Sequence, residues 1–159
     1  MGSRFLTKAL NQRKLQFPYY SNRLVLKPRE KSVFLSEYEA LEKAANRYVT
    51  VLNEIGKPGC RSEEIMPLCT RNCKKVRNGK LLFEGKELFA SQLDTGKEWL
   101  GAWSIDVREV LTSTDHRTST IRYDLSTEKE GNLVVIVILH FDTNHLIYEI
   151  NEVHNKLED

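Results

Sequence analysis

The chain has 159 residues and a mass of 18.5 kDa, with 40% hydrophobic and 29% charged residues, which suits one globular domain with a short extra segment and argues against a two-domain enzyme. Cys60, Cys69 and Cys73 are an odd number with no C-x-x-C pair, which reads as free thiols in a reducing compartment and not as a disulfide framework. No apolar run approaches the roughly 18 residues of a membrane span, and no N-x-[ST] acceptor occurs, so a soluble, cytoplasmic protein is expected.

The net charge of +2 hides an asymmetry: residues 1–31 carry +7, from Arg4, Lys8, Arg13, Lys14, Arg23, Lys27, Arg29 and Lys31 against Glu30, and the remainder carries −5. A basic arm can hold nucleic acid or an anionic membrane, an Arg-rich start poor in acids also fits mitochondrial targeting, and a solubilising or docking extension is the plainer reading. The expected division is a basic N-terminal extension, 1–31, and a domain, 32–159. Phe17, Tyr19, Tyr20, Leu24, Val25 and Leu26 are apolar enough to pack back on that domain. Net positive charge is confined to the extension, so nucleic acid is not an expected partner.

From Ser36 the pattern turns helical. Tyr38, Leu41, Ala45, Tyr48, Val49 and Leu52 recur at three- and four-residue steps, which line one helix face. Ser36 with Glu39 fits a capping box, and Gly56, Pro58 and Gly59 stop the helix. A short second helix is expected from Ser62, limited by Pro67. Asn78-Gly79, between Val76 and Leu81-Leu82-Phe83, is a hairpin signal because the dipeptide supplies positive φ angles. A third helix fits Lys86 to about Gly101, burying Leu88, Phe89, Leu93 and Leu100. Beyond Trp103 the period becomes two: Ile105, Val107 and Leu111 on one strand face, Ile121, Tyr123 and Leu125 on the next, then strands from Gly131 to Phe141 and from Leu146 to His154. Helices followed by an antiparallel meander describe an α+β domain, with a curved antiparallel sheet wrapped on the N-terminal helices.

The run Asn46-Arg47-Tyr48-Val49-Thr50-Val51-Leu52-Asn53, the Asn78-Gly79 hairpin, the segment Phe83-Glu84-Gly85-Lys86-Glu87-Leu88 and the closing His140-Phe141-Asp142-Thr143-Asn144-His145-Leu146-Ile147 resemble the nuclear transport factor 2-like superfamily, in particular its SnoaL-like and ketosteroid-isomerase branches. The resemblance covers about residues 34–155. It implies a cone-shaped, cystatin-like fold with an interior pocket, and a range of functions from isomerases, cyclases and hydrolases to proteins without catalysis. It places Tyr48 where the isomerases carry a donor tyrosine. Val76 and Arg77 stand where their base is expected and Val137 where their second acid is, so steroid-type isomerisation is not expected.

The same resemblance turns Ile121, Tyr123 and Leu125, Val135, Val137 and Leu139, and Ile150, Glu152 and His154 inward. Glu152 and His154 sit two apart and share a strand face. The candidate catalytic set is therefore Tyr48, Glu152 and His154, with Glu152 orienting the imidazole, His154 moving a proton and Tyr48 holding the substrate oxygen. The candidate ligand-binding wall is Trp103, Ile121, Tyr123, Val137 and Ile150. The plainer readings are a core Tyr48 with a satisfied hydroxyl, and a frayed, solvated C-terminal end for Glu152 and His154.

His116 and His145 read as loop and turn residues, and His140 falls on the outer face of its strand. Cys69 and Cys73 are four apart and would share a helix face, but no tetrahedral ligand spacing appears, so no metal is expected. Without a phosphate-cradling glycine loop no cofactor is expected either. Leu133-Val134-Val135-Ile136-Val137-Ile138-Leu139 is apolar on both faces, which demands a cover on the outer side. A homodimer through the outer sheet face is the expected answer, with a small apolar ligand as the other partner. Two function classes remain: a SnoaL-like ligand-binding protein with lyase, cyclase or isomerase-type acid/base chemistry, and a non-catalytic interaction module using the sheet face and the basic extension.

Overall fold

A computed structural model describes residues 28–156; the expected packing of Phe17, Tyr19, Tyr20 and Leu24 lies outside them. Helix α1 spans Pro28–Ile55, eight residues earlier than the capping box at Ser36 suggests. Proline is well suited to a first helical turn because its missing N–H has no partner there in any case. Ser36 is interior to the helix, and its hydroxyl donates back to the Val33 carbonyl at 2.8 Å. The helix therefore starts four residues before the domain boundary expected at residue 32. Leu41, Ala45, Tyr48, Val49, Leu52 and Ile55 form its buried stripe.

A 3-10 helix, Ser62–Leu68, leads into strands β1 (Cys69–Arg77) and β2 (Lys80–Glu84). The tight turn between them has Asn78 at φ 47° and Gly79 at φ 78°, as the dipeptide requires. Cys69 and Cys73 thus lie on a strand and not on a helix face; both are buried. Helix α2 spans Lys86–Leu100 and buries Phe89, Ala90 and Leu93, whereas Leu88, expected in the core, is 55% exposed because it lies off that stripe.

Strands β3 (Trp103–Ser113), β4 (Thr118–Thr127), β5 (Gly131–Phe141) and β6 (Ile147–Lys156) form the expected antiparallel meander. The complete sheet is mixed, in the order β2-β1-β6-β5-β4-β3, because β1 runs parallel to β6. A register shift between Val107 and Glu109 inserts one residue into β3, which bends the strand and exchanges its faces beyond that point. Val110 therefore sits opposite the inward Ile121, while Leu111 pairs with Thr120 on the outer face and is 59% exposed. A one-residue insertion is invisible to a period of two.

The curved, unclosed sheet packs its inner face on α1 and α2. The C-terminal end of α1 is stitched to β3: the Trp103 indole donates to the Leu52 carbonyl at 3.0 Å, the Trp103 amide to the Gly56 carbonyl at 3.1 Å, and the Ile105 amide to Asn53 Oδ1 at 2.8 Å. At Gly56 an added Cβ would lie 2.4 Å from Trp103 Cδ1 and 2.5 Å from its carbonyl oxygen. Gly56→Ala is expected to destabilise the domain by about 1–3 kcal/mol through this overpacking, read as a lower denaturant midpoint at unchanged slope.

Candidate functional site

Lys75 and Arg77 alternate with outward residues at the end of β1, and the parallel register sets Arg77 beside Glu152 and Lys75 beside Ile150. The hairpin tip fixes this register, because the Asn78 amide donates to the Glu152 carbonyl at 2.9 Å and Asn78 Oδ1 accepts from the His154 amide at 3.3 Å. The Glu152 carboxylate is consequently shared. Its Oε2 lies 2.8 Å from Lys75 Nζ, and its Oε1 accepts from Arg77 Nε at 2.5 Å. His154 Nδ1 lies 3.7 Å from the same Oε1. The Lys75 and Glu152 side chains are only 3% and 5% exposed, so Glu152 is not at a frayed, solvated end.

Burial acts against both charges, with different outcomes. For Glu152 it favours the neutral acid, but Lys75, the neighbouring His154 and Arg77 together hold the carboxyl well below the usual range. Lys75 has its pKa lowered, chiefly by burial, since Glu152 opposes the shift while Arg77 adds to it. Glu152 is thus a fixed anion and no proton donor near neutrality.

This cluster opens into a cavity of about 300 Å³. Tyr123, Leu125, Leu133 and Val135 wall it on the sheet, Leu52 and Trp103 at its base, and Leu93, Trp99 and Leu100 on α2, with Trp99 72% exposed. Lys75, Arg77, Glu152, His154 and Gln92 supply its polar groups, and the Gln92 amide oxygen is buried without a hydrogen-bond partner. Apolar walls around a few convergent polar groups are the usual make-up of a small-molecule site.

The expected site residues divide. Glu152, His154, Trp103 and Tyr123 meet at this cavity. Tyr48, Ile121, Val137 and Ile150 lie in the closed core and do not line it. The Tyr48 hydroxyl is buried with no partner, and burial, with Tyr123 and Glu152 next, pushes its pKa well above the ordinary phenol value. Tyr48 is therefore neither a satisfied core tyrosine nor part of the cavity wall. Tyr123 does line the cavity. Sequence reasoning missed Lys75 and Gln92 altogether. The alternation Cys73, Lys75, Arg77 before the hairpin was the available signal for Lys75.

His116 and His145 lie in turns, as expected; His145 pairs with Glu37 at 3.2 Å, and Arg117 pairs with the same carboxylate. His140 is on the outer face, where Asn151 Nδ2 lies 3.1 Å from its Nε2. Among the described residues no group of His, Cys, Asp and Glu is arranged to hold a metal ion, and no helix is long and apolar enough to cross a membrane.

No protein-family model matches the chain, and no curated protein sequence is similar to it. Solved structures are similar in fold. The BvnE pinacolase from Penicillium brevicompactum superposes with a TM-score of 0.63 at 13% identity, over 74% of this chain and 86% of that one. A protein of unknown function with a cystatin-like fold from Methylobium petroleophilum PM1 gives 0.62 at 18% identity, over 77% and 80%. A SnoaL-like putative isomerase from Agrobacterium tumefaciens gives 0.57 at 10% identity, over 76% and 99%. At these identities the likeness is one of fold, and the fold is the cystatin-like, NTF2-like α+β fold that the sequence resemblance implied.

The shared carboxylate carries a stability prediction. A carboxyl whose folded pKa is depressed contributes stability above its unfolded value and loses it as pH falls through the folded one. Acidification below about pH 4.5, the ordinary value for this group, should lower the denaturant midpoint of the wild type more steeply than that of Glu152→Gln. At pH 7 the same substitution leaves Lys75 without its carboxylate and should cost about 3–5 kcal/mol.

Proposed function

We propose that the chain is a small-molecule-binding protein of the SnoaL-like kind, whose cavity takes an apolar ligand with a polar end and supports lyase-, cyclase- or isomerase-type proton transfer. The observation that carries this reading is a buried ion cluster placed where it meets an apolar cavity. Buried ion pairs are a weak source of stability, whereas charge held in a water-poor cleft is what acid/base chemistry uses. Glu152 orients His154, the imidazole moves the proton, and Arg77 faces the charge that develops on the substrate oxygen. Tyr123 takes the part expected of Tyr48, donating its hydroxyl to that oxygen. The unpartnered Gln92 oxygen accepts a hydrogen bond from a ligand hydroxyl. No carboxyl stands at position 77 or 137, so steroid-type isomerisation is outside this reading.

Titration with anilinonaphthalene sulfonate, an apolar anion, should quench Trp99 and Trp103 with one-to-one stoichiometry. Leu133→Trp, which fills a half-buried part of the wall, should weaken binding about tenfold or more, or at least 1.4 kcal/mol. Quenching that is unaffected by the wall substitution would count against the cavity as the binding site.

The outer sheet face supports a homodimer as part of the same proposal. Leu111, Ile136, Tyr148 and Val153 are all more than 40% exposed there, flanked by the partly covered Val134 and Ile138, and such a patch favours self-association. Light scattering at micromolar concentration should give twice 18.5 kDa for the wild type and a single chain for Ile136→Lys. A monomeric wild type would sink this part.

A further inference from the structure

We propose that the Lys75 amine is a nucleophile, condensing with an aldehyde or ketone held in the cavity to form a protonated imine. This rests on the cavity's being a ligand site, and it narrows the ligand to a carbonyl compound.

The first argument is placement. Lys75 is a cavity-lining residue at the end of an inner strand, 3% exposed, with Nζ 5.3 Å from the Phe89 ring centroid and Leu93 on the facing helix. A lysine enclosed in this way is one that gives up its proton readily, which is why such residues serve as Schiff-base amines.

The second argument is charge balance inside the cluster. Two cations, Lys75 and Arg77, face one carboxylate, Glu152. A guanidinium keeps its proton under all ordinary conditions, so the cluster can reach neutrality only through the amine. When Lys75 loses its proton, Glu152 remains paired with Arg77 at 2.5 Å, and the neutral amine still has an N–H to donate to Oε2 at 2.8 Å. The ionisable groups acting on Lys75 are Glu152 from β6 and Arg77 and Cys73 on its own strand.

The chemistry closes without an oxidant or reductant. The free amine's lone pair forms a C–N bond to the carbonyl carbon, and the carbonyl π pair moves to oxygen, which takes up a proton from solvent, the net proton that the protonated imine finally carries. The amine's surplus proton passes to His154. The nitrogen lone pair then expels the oxygen, which leaves as water on receiving that proton back from His154, and a C=N bond remains with positive charge on nitrogen. That cation acidifies the neighbouring carbon. Loss of its proton to the His154 imidazole turns the C–H pair into a C=C bond and gives an enamine, the entry to lyase or isomerase chemistry.

The test uses the full chain with benzaldehyde at pH 7, Trp99 and Trp103 emission recorded first and sodium cyanoborohydride added second. Reduction of the imine leaves a benzyl group that peptide mass mapping locates. Labelling at Lys75 about tenfold faster than at any other lysine is expected, because the cavity holds the aldehyde beside this amine. Lys75→Arg, with the charge kept, should lose the fast label while the other lysines are labelled at the wild-type rate. Quenching with benzyl groups spread over surface lysines would overturn the nucleophile while leaving the ligand site in place. Neither quenching nor a label on Lys75 would overturn both.

Discussion

The placement of Glu152 between Lys75 and Arg77 constrains the rest of the molecule more than any other contact. One carboxylate, out of water, satisfies two cations from the neighbouring parallel strand, and such an arrangement holds only if the strands keep their register. The Asn78 turn and the β1–β6 pairing supply that register. Helix α2 then has to lie over the end of β1, where the stacked Phe83 and Phe89 rings, 4.9 Å apart, close the apolar side of Lys75. Removing the carboxylate would therefore strand a charge and loosen a helix at the same time.

The interior is divided by this arrangement. One part is filled by Tyr48, Ile121, Val137 and Ile150, all fully buried, and behaves as an ordinary close-packed core. The other is the cavity between α2 and the sheet, where side chains leave space and polar atoms converge. The unpartnered Tyr48 hydroxyl lies in the filled part. Burying an unpaired hydroxyl is costly, and simple packing does not favour it.

Much of this was legible in the chain. The 3.6-residue stripe from Leu41 to Leu52, the Asn78-Gly79 turn and the period-two strands each declare themselves locally, because helices, tight turns and half-buried strands all leave a repeat or a required dipeptide. Ile121, Tyr123, Val135 and Val137 face inward as expected. The misses have physical causes. The bulge that moves Leu111 outward inserts one residue, and the parallel β1–β6 pairing joins segments some 75 residues apart, which no local pattern encodes. Lys75 reads as a surface residue by type, and only its partner on a distant strand makes its burial tolerable. Glu152 and His154 share the inward face of the last strand and line the cavity, while Ile121, Val137 and Ile150 share the inward face but lie in the closed core.

Strand β6 follows every other strand in sequence yet sits between β1 and β5 in the sheet. During synthesis β1 and β2 can close their hairpin early, but β1 has nothing on its other edge until β6 is available. Until then Lys75 and Arg77 have no carboxylate, and the edge of β1 presents unpaired backbone groups, the kind of edge that seeds wrong pairing. Loop closure over that separation makes the last pairing slow compared with the hairpins. Assembly of the cavity and completion of the sheet are in this sense one kinetic event, and a nascent chain stalled before β6 would carry the two cations on an open strand edge, a form suited to capture by a chaperone.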